Sequence, residues 1–228
     1  MISAVIAAYN EEACILEFSK RLIKILSMFG EWEVIFMIGG DDHTRRILEL
    51  YWGLHSKRIK IIYERERGLG TALRKGFMLI DPKSDFVLTM DADLQQIPEE
   101  IPNLFELTKY GFDVIIGEHG HLADGRPRFK KIISRLVNIG LRIYFGIPIS
   151  DFTSDFRIFK AEPIRLIREE IKSKDDQAVP EILIHLKRNG FDRFVETPIN
   201  FPARRTGESK LSMMRALKGY LKLIWRMR

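Results

Sequence analysis

Short apolar runs alternate with stretches of helical period through the first half of this chain. Residues 2–8, 33–38, 59–63, 85–90 and 113–117 are rich in Val and Ile and are bounded by Gly, Asp or Pro, as strands buried on both faces are. Between them, residues 11–29, 44–54, 68–80 and 99–109 carry apolar positions at helical spacing. This alternation predicts an α/β fold with a mainly parallel, open sheet flanked by helices. Ligands of such sheets collect beyond the carboxyl ends of the strands. The loop after the first strand, Ala8-Tyr9-Asn10-Glu11-Glu12, and the loop after the fourth, Asp91-Ala92-Asp93-Leu94-Gln95, are therefore expected to face one cleft.

The second half is less regular. It reads as a basic helical stretch near 129–145, an irregular section over 148–161, a helix near 179–189 and a strand near 194–200. No internal repeat, low-complexity tract or Pro/Ser-rich linker divides the chain, so residues 1–210 are expected to form one domain and 211–228 an appended basic amphipathic helix.

Candidate chemistry concentrates at the loops. Asp91 and Asp93 flank one small residue after an apolar strand, so alternation turns both side chains the same way. Two converging carboxylates form a hard-oxygen site suited to Mg²⁺ or Mn²⁺, with phosphates completing the shell, and Gln95 offers a carbonyl oxygen two residues on. Gly68, Gly70 and Ala72 open a helix after a strand, where small residues allow either close packing or main-chain contact with an anion. Near the end of the chain, Arg204, Lys210 and the Gly207-Glu208-Ser209 turn form a basic loop able to close over a diphosphate.

Composition narrows the setting. With 46 % hydrophobic and 30 % charged residues, the chain is of the globular rather than the disordered kind. Cys14, its single cysteine, cannot form an internal disulfide and is expected as a small buried residue in a reducing compartment. The start, Met1-Ile-Ser-Ala-Val-Ile6, reads as a strand and not a secretory leader, which predicts a cytoplasmic body. The net charge of +6 is unevenly placed: residues 203–228 hold eight Lys or Arg and one acid, and residues 126–146 hold six and none. Such patches imply anionic partners. A nucleic-acid module would leave Asp91 and Asp93 repelling its polyanion, so no nucleic-acid partner is expected.

Four segments in order, over nearly the whole chain, resemble the family 2 glycosyltransferases of the dolichol-phosphate mannose synthase type: Ile6-Ala-Ala-Tyr-Asn-Glu11, Arg67-Gly-Leu-Gly-Thr-Ala72, Asp91-Ala-Asp-Leu-Gln-Gln-Ile-Pro-Glu-Glu100 and Phe201-Pro-Ala-Arg-Arg-Thr-Gly-Glu-Ser-Lys210. A fifth, Ser150-Asp-Phe-Thr-Ser-Asp-Phe-Arg157, is similar to a further segment of that family. The resemblance implies the Rossmann-like GT-A fold and transfer of a sugar, mannose or glucose, from a nucleotide-sugar donor such as GDP-mannose or a UDP-sugar to dolichyl or polyprenyl phosphate. It also implies roles. Ala8, Tyr9, Glu11, Gly70 and Ala92 would line the donor pocket; Asp91, Asp93 and Gln95 would hold the metal; Arg204 and Lys210 would clamp phosphates; Arg135, Asn138 and Ser209 would meet the acceptor phosphate. The second strand departs from the family pattern and ends Met37-Ile-Gly-Gly-Asp-Asp-His-Thr44, which leaves either Asp41 or Asp42 to read the base or ribose. His119 replaces a fixed cation that Arg126 or Arg128 would supply instead, and Asp155 stands where the family has Gly.

A lipid monophosphate is already an anion, so no strong base is required, and in-line attack would invert the anomeric centre. If the acceptor were a sugar hydroxyl, a carboxylate would have to take its proton, and Asp155 or Asp176 is the candidate for that role. A catalytically inactive nucleotide-sugar-binding relative is the third reading. The tail sets Met214, Leu217, Leu221 and Ile224 on one helical face, joined by Tyr220 and Trp225, and Arg215, Lys218, Lys222 and Arg226 on another. Either this helix packs on the domain or it lies among anionic headgroups, with the protein peripheral at the cytoplasmic membrane face or held by a membrane-protein partner.

Overall fold

The computed structural model describes residues 1–53, 57–119, 128–200, 202 and 213–228, with side chains described throughout these except at 119, 128–134 and 213–217. The strands are β1 (Ile2–Tyr9), β2 (Trp32–Gly39), β3 (Ile59–Tyr63), β4 (Phe86–Thr89), β5 (Val114–His119), β6 (Arg157–Lys160) and β7 (Phe194–Ile199). The helices are α1 (Ile15–Leu26), α2 (Thr44–Trp52), α3 (Leu69–Met78), α4 (Ile101–Glu106), α5 (Arg128–Phe145), α6 (Ala161–Ile167), α7 (Ala178–Arg188) and α8 (Met213–Arg226). The strands form one sheet in the order β3-β2-β1-β4-β6-β5-β7. Every pairing is parallel except the two made by β6.

The sheet is apolar on both faces because each strand alternates between two cores. From β1, Ile2, Ala4, Ile6 and Ala8 join a cluster with Phe18 and Leu22 of α1, Leu48 of α2 and Leu104 of α4. Val5 joins the opposite cluster, with Phe77 of α3, Ile164 of α6, Leu183 of α7 and Leu223 of α8. Cys14 is buried in the first of these. The exception is β3, predicted buried on both faces: it is an edge strand, half-buried along its length with Tyr63 exposed, because β2 is its single neighbour.

The 148–161 section, expected to be irregular, contains β6, four residues too short to show a period. This strand has the largest consequence for the cleft. Running antiparallel, it pairs Phe86 with Lys160 and Thr89 with Arg157. Continuing that register two residues further sets Asp91 across from Asp155, so acids from distant parts of the sequence meet at the carboxyl end of β4.

The glycine turn before α3 is explained by close packing. Gly68 has φ of 135°, and a Cβ there would lie 2.2 Å from the Lys174 carbonyl oxygen; one at Gly70 would lie 2.2 Å from the Ser173 carbonyl oxygen and 2.6 Å from the Ala178 Cβ. Thr71 N–H donates to the Lys174 carbonyl at 3.1 Å, and Lys174 Nζ donates to Glu66 at 2.5 Å. Gly70, which the family resemblance placed at the donor, thus faces this protein's own 173–177 loop.

Replacing a helical Gly by Ala ordinarily stabilises by up to about 1 kcal/mol, whereas forcing a methyl into a filled contact costs about 1–3 kcal/mol. Gly70→Ala is therefore expected to lower Tm by several degrees in a thermal melt. An unchanged or raised Tm would show that residues 173–177 do not lie against this turn.

Candidate active site

The ends of β1 and β2 are laced together by side chains. Asn10, at φ of 54°, leaves β1 in the left-handed region that Asn tolerates. Its Oδ1 accepts from the Asp41 N–H at 2.9 Å and the Asp42 N–H at 3.4 Å, and its Nδ2 donates to Asp41 at 3.1 Å. Asp42 is engaged twice: one oxygen accepts from Thr44 N–H at 2.9 Å at the start of α2, the other from Glu12 N–H at 3.0 Å. That work leaves Asp41, the more exposed of the two, as the carboxylate facing outward at this strand end. Glu11 N–H donates to Thr44 Oγ1 at 2.8 Å. The Arg67 guanidinium lies over the Tyr9 ring, 4.7 Å from its centroid. The side chains of Ala8 and Ala92 are buried in the core, so only their main chains face the cleft.

At the end of β4 the chain turns sharply. Asp93 Oδ1 accepts from Gln95 N–H at 3.0 Å, an Asx turn, and Leu94 takes φ of 62°, a strained position for a branched side chain. This reversal breaks the alternation, and the side chain that returns to Asp91 is that of Gln96 instead of Gln95. Gln96 is buried; its Oε1 accepts from Asp91 N–H at 2.8 Å, and its Nε2 donates to Asp91 Oδ2 at 3.3 Å and to Asp155 Oδ1 at 2.7 Å. Asn10 and Leu94 are the two non-glycine residues with positive φ among the described residues, and they sit at the ends of neighbouring strands. Strain gathered in this way marks a functional cleft.

Negative charge accumulates there. Burial, then the proximity of Asp155 and Asp93, push the Asp91 carboxyl well above the usual range, with Asp176 adding to the effect. Burial and the neighbouring Asp175 and Asp155 raise Asp176 to about 6. The buried counter-charge is Arg157, 1 % exposed, whose guanidinium donates to the main-chain carbonyls of Val179 at 2.7 Å and Phe152 at 2.8 Å. Burial lowers it to about 10 while Asp151, Asp155 and Glu196 hold it up. Asp151 Oδ1 closes its own turn on Thr153 N–H and Ser154 N–H, and Glu196 accepts from the N–H groups of Ser150 and Asp151. Asn138 Oδ1 accepts from Phe152 N–H at 3.3 Å, which places α5 against this same loop, and exposed Arg135 lies one helical turn earlier. Arg204, Ser209 and Lys210 lie outside the described residues.

Gln96, Arg157 and Glu196 were not singled out from the sequence. Gln96 carried a signal, its adjacency to Gln95, that becomes readable only with the Leu94 reversal in hand. Among the described residues no group of three or more His, Cys, Asp or Glu side chains is arranged to hold a metal ion by protein ligands alone. Neighbouring carboxylates at one strand end nevertheless fit a divalent cation that takes the rest of its shell from phosphate oxygens.

Comparison with known proteins follows this geometry. The chain matches the Glycosyl transferase family 2 model over residues 3–168. The chain belongs to glycosyl transferase family 2. It is 30 % identical, over 95 % of its length, to the undecaprenyl-phosphate 4-deoxy-4-formamido-L-arabinose transferase of Edwardsiella ictaluri and covers 64 % of that protein. It is 32 % identical, over 99 % of its length, to the dolichol-phosphate mannosyltransferase of Pyrococcus furiosus and covers 63 % of that one. The chain thus spans a little under two thirds of the length of these relatives. The GT-A fold is shared, at low identity, with two solved glycosyltransferases. One is the glucosyl-3-phosphoglycerate synthase of Mycobacterium tuberculosis in complex with Mn²⁺ and UDP (17 % identity, TM-score 0.68, all of this chain and 78 % of that one). The other is a mannosyltransferase of Pyrobaculum calidifontis in complex with GDP-Man and Mn²⁺ (16 % identity, TM-score 0.65, 99 % of this chain and 64 % of that one).

The raised Asp176 carboxyl has a thermodynamic consequence. Between its ordinary value of 3.8 and about 6 the folded chain binds more protons than the unfolded one, so this residue's contribution to stability falls as pH rises through that window. Each pKa unit corresponds to about 1.4 kcal/mol, reduced here because Asp176 is partly exposed. Asp176→Asn is expected to stabilise the metal-free protein by about 1–2 kcal/mol at pH 7.5 and by progressively less toward pH 4, read from denaturant melts. A gain independent of pH would contradict this assignment.

Proposed function

We propose that this chain is an inverting, divalent-metal-dependent glycosyltransferase that moves mannose or glucose from a nucleoside-diphosphate sugar to the phosphate of a polyprenyl phosphate at the cytoplasmic membrane face. The observation that carries the reading is the carboxylate pair Asp91 and Asp93 at the carboxyl end of β4, between the Tyr9–Asp41 corner and the loops bearing Asp155 and Asp176. Asp91 and Asp93 would hold Mg²⁺ or Mn²⁺ and Gln95 would offer a further oxygen; the bound ion would neutralise the departing diphosphate. Tyr9, Glu11 and Asp41 would contact the nucleoside. Arg204 and Lys210 would clamp the phosphates, and Arg135, Asn138 and Ser209 would orient the acceptor phosphate. An acceptor phosphate oxygen attacks the anomeric carbon as the bond from that carbon to the donor's phosphate oxygen breaks, and the electron pair leaves with the nucleoside diphosphate. No proton needs to be removed.

The relatives' names support the acceptor class, since undecaprenyl phosphate and dolichol phosphate are both polyprenyl phosphates. The names divide over the sugar, and mannose is favoured by the relative matched over 99 % of this chain. Incubating GDP-mannose, UDP-glucose and a UDP-linked formamido-arabinose separately with polyprenyl phosphate, with and without Mn²⁺, tests donor and class together. Label from GDP-mannose or UDP-glucose is expected in the organic phase only with metal. Asp91→Asn is expected to cut that rate by about 100-fold or more, whereas Asp176→Asn should cost about tenfold and leave transfer measurable. Loss of transfer in Asp176→Asn with retention in Asp91→Asn would favour a hydroxyl acceptor and a carboxylate base.

Two helices support the membrane setting. Leu136, Ile139 and Ile143 form an exposed stripe on α5, and Leu221 and Trp225 are 61 % and 76 % exposed on the adjacent α8. Exposed Arg135, Arg142, Lys218 and Lys222 stand on the same helices. No helix among the described residues is long and apolar enough to cross a membrane. An apolar stripe flanked by cations suits an anionic headgroup layer. Ile143→Ala combined with Trp225→Ala is expected to weaken sedimentation with phosphatidylglycerol vesicles by about tenfold, and undiminished binding would remove α5 and α8 as the docking face.

A further inference from the structure

The C-terminal helix does not pack with the face its sequence pattern advertises. Tyr220, Leu223 and Met227 are buried in the core, with Ile224 beside them, while Leu221 and Trp225 point outward. The inward face meets the site's own loop at two places. The main chain of α8 lies so close at Gly219 that a Cβ would stand 2.1 Å from Gln177 Nε2. Arg226 donates to Ser173 Oγ at 2.8 Å and pairs with Glu181 at 2.7 Å. Glu181 is fully buried and accepts from the N–H groups of Lys172 at 3.0 Å and Ser173 at 2.7 Å. Tyr220 is buried near enough to Asp176, Asp151 and Arg157 for each to act on it electrostatically. The other side of the same loop is seated on Gly68 and Gly70.

From these contacts we infer that α8 is a positioning element of the active site: through Gly219 and Arg226 it fixes the 173–177 loop, and with it Asp176, against the Asp91–Asp155 pair. A helix serving only as a lipid attachment would have no reason to bring its main chain onto Gln177 and a guanidinium onto Ser173 and Glu181. The inference rests on the transfer reaction proposed above, yet it makes a structural claim that can be read without it. Glu181 shows how much the loop depends on these partners. Burial acts to raise its carboxyl, but hydrogen bonds from His185, Lys172 and Ser173 hold it below its ordinary value. Removing a cation from a buried carboxylate leaves a charge that the remaining donors must satisfy alone.

The test uses the full chain and four variants. Gly219→Ala drives a methyl against Gln177; Arg226→Gln removes the charge that meets Glu181; Arg226→Lys restores it; Trp225→Ala alters only the outward face. Hydrogen–deuterium exchange over residues 171–178 is measured beside kcat and KM for the donor, both in transfer to polyprenyl phosphate and in release of sugar to water without lipid. Gly219→Ala and Arg226→Gln are expected to speed exchange in that segment and to lower kcat by about tenfold or more, with donor KM within about twofold. Arg226→Lys should recover most of the loss, and Trp225→Ala should change vesicle binding while leaving exchange and lipid-free turnover as in the wild type. Faster exchange at wild-type kcat, or lower kcat at wild-type exchange, overturns the inference. So does a fall in kcat that Arg226→Lys fails to recover. A wild-type chain that transfers nothing to polyprenyl phosphate would defeat the proposed reaction alone, because the exchange and lipid-free comparisons would still decide the role of α8.

Discussion

Crowding of negative charge at the carboxyl end of β4 is the constraint around which the rest of this structure is arranged. Asp91, Asp93, Asp155 and Asp176 come from three separate stretches of chain, and each raises the cost of ionising another. A fold tolerates such an arrangement only if something supplies positive charge when the protein works. Arg157 supplies part of it while donating to the carbonyls of Val179 and Phe152. Its charge acts across the cluster, with Asp151, Asp155 and Glu196 all within its reach. An acidic cluster of this kind suits a divalent ion and a diphosphate arriving together, the ion bringing charge and the phosphates bringing oxygens.

Topology does most of the assembly. Parallel strands deliver their loops to one edge of the sheet, which accounts for the Tyr9, Asp41 and Asp91 loops. It does not account for Asp155, which precedes a strand instead of following one. The antiparallel insertion of β6 between β4 and β5 solves this, because the amino end of an antiparallel strand lies at the carboxyl edge of its neighbours. The sheet can then place acids from both chain directions at one point. The loop carrying Asp176 is held there from two sides by the glycine turn before α3 and the inward face of α8.

What could be read beforehand followed from periodicity. Six strands and the parallel α/β architecture were legible because each apolar run was long enough to show its pattern, and the Asp91 and Asp93 pair was visible because it sits right after one. β6 was hidden by its four residues. The hydrogen bonds that hold Asp42, and the approach of Gln96 to Asp91 that follows from one left-handed residue, Leu94, are contacts that no spacing encodes. Gly70 illustrates a different limit. A small residue at a helix start is needed equally for an anion and for another segment's main chain, and only the position of Ser173 distinguishes the two.

Helix α8 shows why helical period alone gave an incomplete picture of the chain's end. Its apolar residues are spread over too wide an arc for one partner: Tyr220, Leu223 and Met227 satisfy the core, and Leu221 and Trp225 remain outside. A helix apolar on two sides is satisfied only where it lies between two apolar phases. One phase is the domain's own interior; the stripe on α5 beside it marks where the other would lie. The geometry then has a chemical consequence. A lipid phosphate presented at that boundary would lie next to the helix that packs on the Asp176 loop, so in the proposed reaction the surface holding the acceptor and the element shaping the site would be two faces of a single helix.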